Sequence, residues 1–294
     1  MPTPRMYIGL ACAPDGRVFA IGGQAAGPNG RGASASVEIY DPSKDAWTTA
    51  ASMPAAGASA AAVGYDGRIY AFGQSGNYAY DPKTDAWRAL SAPPAGSPVS
   101  AFSLVPMGHS LALVGGPQSA NLFTYDIDKD TFVKGPAYPI DPDVPGLQVR
   151  RSTPAAGLLA DGSLFMIGGF DANSPEFQAS ADTFLLAPNA TSWTQGPSLP
   201  TSLARAAAVV DKQGQVFTFG GQSSGYVGAI ETCVTDVLGF GGGSWTSQDS
   251  VFDPRVGGAA CVDPKGTVYF VGGEAVSPDG KSVSLVGTME IFSP

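Results

Sequence analysis

Histidine occurs once in this chain and cysteine three times, so the side chains that most often build zinc and copper sites are nearly missing. His109 stands in a turn between two apolar runs and reads as an exposed bystander. No metal and no cofactor is expected, and a Ser-His-Asp or Cys-His nucleophile has no histidine available at a site. Cys12, Cys233 and Cys261 are too few and too scattered for a disulfide framework. Cys12 and Cys261 fall on apolar strands, where buried, unreactive thiols are expected rather than a bridge. Charge is also scarce: only 14% of residues are Asp, Glu, Lys or Arg, and 25 acidic against 16 basic residues leave a net charge of -9. A basic face for nucleic acid is therefore excluded. No apolar run approaches the ~18 to 20 residues that cross a bilayer. Met1-Pro2-Thr3-Pro4-Arg5 lacks the charged and apolar regions of a secretory signal. The expectation is a soluble monomer, with no membrane partner and no compartment assigned.

What the sequence has in abundance is repetition. The stretch 16–23 (GRVFAIGG) returns at 67–74 (GRIYAFGQ), 108–116 (GHSLALVGG), 162–169 (GSLFMIGG), 214–221 (GQVFTFGG) and 266–273 (GTVYFVGG). The terminal pairs begin at positions 22, 73, 115, 168, 220 and 272, spacings of 51, 42, 53, 52 and 52. A period near 50 marks a repeat protein. With 39 glycines and 25 prolines and no collagen period, the composition fits many turns joining short strands.

Each unit has four parts. In the first, residues 5–13 are apolar and small, Pro14-Asp15-Gly16 is a turn, residues 17–21 are rich in β-formers, and the glycine pair ends the run. Ser36-Val37-Glu38-Ile39-Tyr40 then alternates as a half-buried strand should, Asp41-Pro42-Ser43-Lys44-Asp45 turns, and residues 47–51 return. Later units follow with Tyr80 and Trp87, Tyr125 and Phe132, residues 184–186 and Trp193, and Ile230-Glu231-Thr232-Cys233 and Trp245. The sixth ends on Met289-Glu290-Ile291-Phe292 without a fourth strand or a tryptophan. Four short strands cannot bury both faces alone, so the units are expected to pack sheet on sheet around an axis, the aromatic residues filling the space between.

Gly22-Gly23, Tyr40 and Trp47, with their counterparts in later units, resemble the kelch repeat. The resemblance implies an all-β, six-bladed kelch-type β-propeller with four antiparallel strands per blade, the sixth blade incomplete, and repeats at about 5–54, 55–94, 97–139, 150–200, 203–250 and 254–294. Kelch rings are closed by strands from both chain ends. Met1-Pro2-Thr3-Pro4-Arg5, with two prolines, is a poor strand. The sixth blade is thus expected to have three strands, or the chain begins inside a longer parent.

The resemblance also implies that the face bearing the loops after second and fourth strands carries the site. On it fall the arginines that open first strands, Arg5, Arg151, Arg205 and Arg255, and polar residues after the glycine pairs, Gln24, Gln118, Asp171, Gln222 and Glu274. Much of the acidity, including Asp41, Asp85, Asp128 and Asp130, falls on the opposite face. Converging arginines suit an oxyanion and the glutamines a hydroxyl-rich ligand. The expected function is binding, at this axial mouth, of a small anionic or sugar-like ligand or an acidic peptide. The alternative is a cofactor-independent, mutarotase-like isomerase, an activity found among kelch propellers, with Glu274 or Asp171 as catalytic carboxylate. Copper-radical oxidases share the propeller, but their pattern needs two histidines.

Overall fold

The computed structural model describes the chain except residues 29, 58, 143, 224–232, 235–236, 242, 249–252, 278–281 and 293–294. Alternation of apolar and small residues, cut by Asp-Gly and Asp-Pro turns, produces short antiparallel strands joined in sequence. The first sheet runs Gly9–Cys12, Val18–Ile21, Val37–Asp41, Ala46–Ala50. Four further sheets repeat that order, starting with the strands Ser59–Val63, Phe102–Met107, Ala155–Leu158 and Ala207–Val210. Among the described residues a sixth sheet has three strands, Ala259–Val262, Val268–Val271 and Met289–Phe292.

The first strands of these sheets neighbour one another in a circuit, and that of the sixth sheet lies beside that of the first. The core is correspondingly divided into six layers, one between each pair of neighbouring sheets. Strand alternation feeds two layers from one strand: Phe19 and Ile21 pack toward the second sheet with Ile69 and Tyr80, while Val18 and Ala20 pack toward the sixth with Tyr269 and Val271. The unit aromatics are cross-strand partners, Tyr40 opposite Trp47, Tyr80 opposite Trp87 and Tyr125 opposite Phe132.

Three expectations change. The first strand does not run unbroken over 5–13. Arg5–Met6 pairs with Gln24–Gly27 in a separate small sheet, Tyr7 turns the chain through a left-handed conformation (φ 52°), and Gly9–Cys12 enters the blade. The third strand of the fifth unit is Val237–Gly241, where Phe240 faces Trp245; residues 230–232 lie outside the described residues, and Cys233 forms an isolated bridge to Gln222. The third correction concerns cysteine. Cys12 and Cys261 form a disulfide across 249 residues, with a Cα–Cα distance of 5.6 Å. Each lies on the first strand of its sheet, so the bond fastens the last sheet to the first. The same seam is closed by hydrogen bonds from Met1 N to the Gly287 carbonyl (2.6 Å) and from Tyr7 N to the Gly257 carbonyl (2.8 Å), and by an ion pair of Arg31 with Glu274.

A cross-link closing so long a loop stabilises mainly by restricting the unfolded chain. Replacing Cys12 and Cys261 together by serine is expected to lower unfolding free energy by about 2 to 4 kcal/mol, read as a lower urea midpoint, and dithiothreitol should do the same to the unaltered chain. An unchanged midpoint in both would show that the bridge contributes nothing to closure.

Candidate functional site

The site is built on the glycine pairs. The second glycine donates its N–H to the carbonyl that precedes the next sheet's first strand: Gly23 to Gly57, Gly116 to Arg151, Gly169 to Leu203, Gly221 to Arg255 and, across the seam, Gly273 to Arg5, at 2.8 to 2.9 Å. A Cβ at Gly272 would stand 2.6 Å from the Arg5 carbonyl oxygen, so this approach excludes a side chain.

Two residues after the carbonyls of Arg5, Arg151, Leu203 and Arg255 the backbone bends through the left-handed region. Tyr7, Ala101, Thr153, Arg205 and Gly257 share this conformation. They are also linked head to tail: Tyr7 N donates to Gly257 O, Gly257 N to Arg205 O, Arg205 N to Thr153 O and Thr153 N to Ala101 O, at 2.7 to 3.3 Å. The result is a collar of four backbone hydrogen bonds that joins five of the six units about the axis. All five residues line an axial cavity of about 640 Å³. Its deeper wall is the small side of the first strands, including Gly9, Ala61, Ala156, Ala208 and Ala260.

This geometry separates the four arginines. Arg5, Arg151 and Arg255 are at most 1% exposed and do not line the cavity. Each sits at the position whose carbonyl is held by the preceding sheet's glycine, and its guanidinium turns into its own blade. Arg5 pairs with Glu38 (3.0 Å) and donates to the carbonyls of Gly22 (2.6 Å) and Ser36 (2.8 Å). Arg151 meets Asp141, Asp171 and Asp182 at 3.3, 2.9 and 2.7 Å. Arg255 pairs with Glu290 (2.8 Å), donates to the Thr288 hydroxyl and lies over Phe270. Burial pushes the Arg5 and Arg255 guanidinium pKa values down, with Glu38 and Glu290 pulling them back up.

Arg205 is different because its counterpart is Tyr7, not Arg5. The arginine position of the fifth unit is held by Leu203. Arg205 therefore projects from the collar, as the single charged side chain among the described residues lining the cavity. Its guanidinium lies 5.7 Å from the Tyr7 ring centroid and 5.3 Å from that of Phe170, which stacks on Phe177. Tyr7, Phe170 and Phe177, none of them foreseen as site residues, line the same wall.

The post-glycine residues divide as well. Gln24 lines the cavity, joined by Gln74 and Ser75. Gln222 is fully buried and bridges Ala204 and Cys233 through its backbone; Gln118 is exposed and off the lining. Glu274 is held by Arg31 and Asp171 by Arg151, both outside the cavity wall. Phe170, not Asp171, immediately follows its glycine pair, and a one-residue offset on a strand reverses the face.

On the opposite face the carboxylates cap turns. Asp45, Asp85 and Asp130 each accept the hydroxyl of their unit's tyrosine at 2.7 Å. His109 is exposed there, with Nδ1 2.7 Å from Asp128.

Sheets set face to face around an axis, each lending its first strand to the axial wall, define a β-propeller. It is a propeller of the kelch type: the kelch motif matches residues 10–54, and the fold is that of a fungal alcohol oxidase of the AA5 family, solved in complex with copper, at a TM-score of 0.69 over 98% of this chain. Identity to that oxidase is 19% and the chain spans 62% of its length, so the likeness is one of fold. No curated protein matches the sequence. Copper does not fit this mouth. Among the described residues no His, Cys, Asp or Glu lines the cavity, and no group of three or more such side chains could hold a metal.

Removing a buried ion-pair partner strands the charges left behind, whereas removing a cation that lies over aromatic rings leaves no charge stranded among those rings. Arg151→Ala is expected to destabilise the chain by about 3 to 5 kcal/mol and Arg205→Ala, which gives up its contacts with two rings, by a smaller amount of about 1 to 2 kcal/mol, in parallel urea titrations. Stability should also depend on acid. Lys44 and Ser43 hold the Asp41 carboxyl down to about 2, and hydrogen bonds from Ala51 and Tyr80 lower Asp85, from Lys129 Asp126, and from Tyr65 and His109 Asp128. These groups bind protons less readily folded than unfolded, so what they contribute is complete above 3.8 and is lost as pH falls from there toward about 2. Glu290, raised by burial, works in the opposite sense. A melting temperature that is level near neutrality and declines below about pH 4, by a modest amount because these carboxylates are screened by solvent, is expected.

Proposed function

We propose that the chain is a ligand-binding propeller whose axial mouth takes a small anionic molecule through Arg205. The observation carrying this reading is the placement of one guanidinium, as the sole charged side chain among the described lining residues, on the wall of a cavity of about 640 Å³. Tyr7 and Phe170 on either side support a fixed guanidinium that presents its N–H fork to an oxyanion. Gln24, Gln74 and Ser75 offer donors and acceptors for hydroxyl groups. An isomerase would need an acid or base at the mouth. Glu274 and Asp171, the candidates for that role, are both ion-paired away from the cavity, so binding is the better supported reading.

The test is a thermal-shift screen with simple sugars, acidic sugars and small carboxylates, followed by titration of each hit. Arg205→Ala should weaken an anionic hit at least about tenfold, because a charge-assisted hydrogen bond contributes about 1.5 to 3 kcal/mol, and Arg205→Lys should recover part of it. Equal affinity in the unaltered chain and in Arg205→Ala would overturn the proposal.

A further inference from the structure

We propose that the anion taken at the mouth is a planar aromatic monocarboxylate, its carboxylate on Arg205 and its ring against Phe177; this rests on the reading that Arg205 holds an anion. Phe177 is the side chain that the fold leaves unexplained. It lies in the connection between the second and third strands of the fourth sheet, which folds back through a bridge between Phe170 and Ala179. Its backbone is left-handed (φ 51°), a conformation that a bulky apolar residue adopts only where its surroundings impose it. The ring is half-buried, lies on the cavity wall and stacks on buried Phe170, with centroids 5.5 Å and planes 24° apart. The Arg205 guanidinium lies 5.3 Å from the same Phe170 centroid. One buried ring thus carries both a cation and an accessible aromatic side chain along a single wall.

Each part of the wall narrows the class of ligand. One guanidinium balances one negative charge, and its planar fork matches a carboxylate. Phe177 gives a second flat ring a surface for an offset stack. The small residues of the first strands, among them Gly9, Ala61, Ala156, Ala208 and Ala260, leave room for a flat apolar body and offer it no side-chain donor. A sugar acid is less suited, because each of its hydroxyls would need a partner. Of the lining hydroxyls, Ser75 and Ser103 already donate to the Ala56 and Pro154 carbonyls, at 2.6 and 2.7 Å, and can only accept. Gln24 and Gln74 belong to the first and second units, three and two places round the circuit from the fourth, which carries Phe177.

Titration calorimetry on the whole chain tests this with cinnamate and three further probes: cyclohexylpropanoate, its saturated counterpart, cinnamyl alcohol, which lacks the charge, and glucuronate. Cinnamate should bind about two- to tenfold more tightly than cyclohexylpropanoate, the range that an aromatic pair adds beyond its area. It should bind at least about tenfold more tightly than cinnamyl alcohol, as a charge-assisted hydrogen bond requires, and more tightly than glucuronate. Phe177→Ala should bring the ratio of cinnamate to cyclohexylpropanoate affinity close to one, and Phe177→Tyr, which keeps a ring, should preserve it. If cyclohexylpropanoate or glucuronate binds as tightly as cinnamate, and Arg205→Ala still weakens all three, the aromatic class is overturned while the anion site stands. If cinnamyl alcohol binds as tightly as cinnamate and Arg205→Ala changes neither, the anion reading falls and this inference with it. Absence of saturable cinnamate binding would overturn the inference whatever the other probes do.

Discussion

The hydrogen bond from the second glycine of one unit to the carbonyl entering the next unit is the constraint on which the rest of the molecule rests. It brings two backbones so close that no side chain fits, which is why a Cβ at Gly272 would meet the Arg5 carbonyl. Repeated around the axis, it sets where each first strand begins and which way the preceding side chain must turn. Arg5, Arg151 and Arg255 have their carbonyls pinned by one blade and their guanidiniums by the next. A single residue thus ties two sheets, and the acidic partners Glu38, Asp182 and Glu290 are the other half of the tie. Such pairs need not add net stability over apolar packing, yet neither partner can be lost alone.

Much of this was legible in the chain. The repeated β-rich runs and glycine pairs identify the strands, and the Tyr and Trp spacing identifies which strands face each other. The mouth was harder to read because its logic lies in register. Positions 101, 153, 205 and 257 recur at intervals of 52, which places Arg205 with Ala101 and Thr153 and leaves Leu203 as the match of Arg151 and Arg255. Reading Arg205 as the opening arginine of its unit set it two residues out of phase. Asp171 was misplaced by one residue, enough to exchange the cavity wall for a buried ion pair. The bond between Cys12 and Cys261 leaves no local trace at all, since the two strands meet only when the circuit closes. The third strand of the fifth unit was misread because its turn is shorter, with Phe240 and Trp245 five residues apart instead of the seven between Tyr40 and Trp47.

The comparison with the copper-bound oxidase shows how little the scaffold dictates about chemistry. The two share an architecture across nearly all of this chain, while the mouth described here offers one cation, aromatic rings, amides and hydroxyls. Function on such a fold resides in the few side chains that the collar and the post-glycine loops send toward the axis.

The collar itself has an electrical consequence. Each of its linked peptide groups carries a dipole of about 3.5 D, and the hydrogen bonds from Tyr7 through Gly257, Arg205 and Thr153 to Ala101 run from blade to blade in one rotational sense. Peptide groups linked from blade to blade run across the axis and not along it, so they give little field along the channel, unlike the aligned peptides of a helix end. The backbone therefore holds Arg205 in position without setting a helix-like end charge beside it, and Arg205 is the charged side chain among the described residues of the cavity wall.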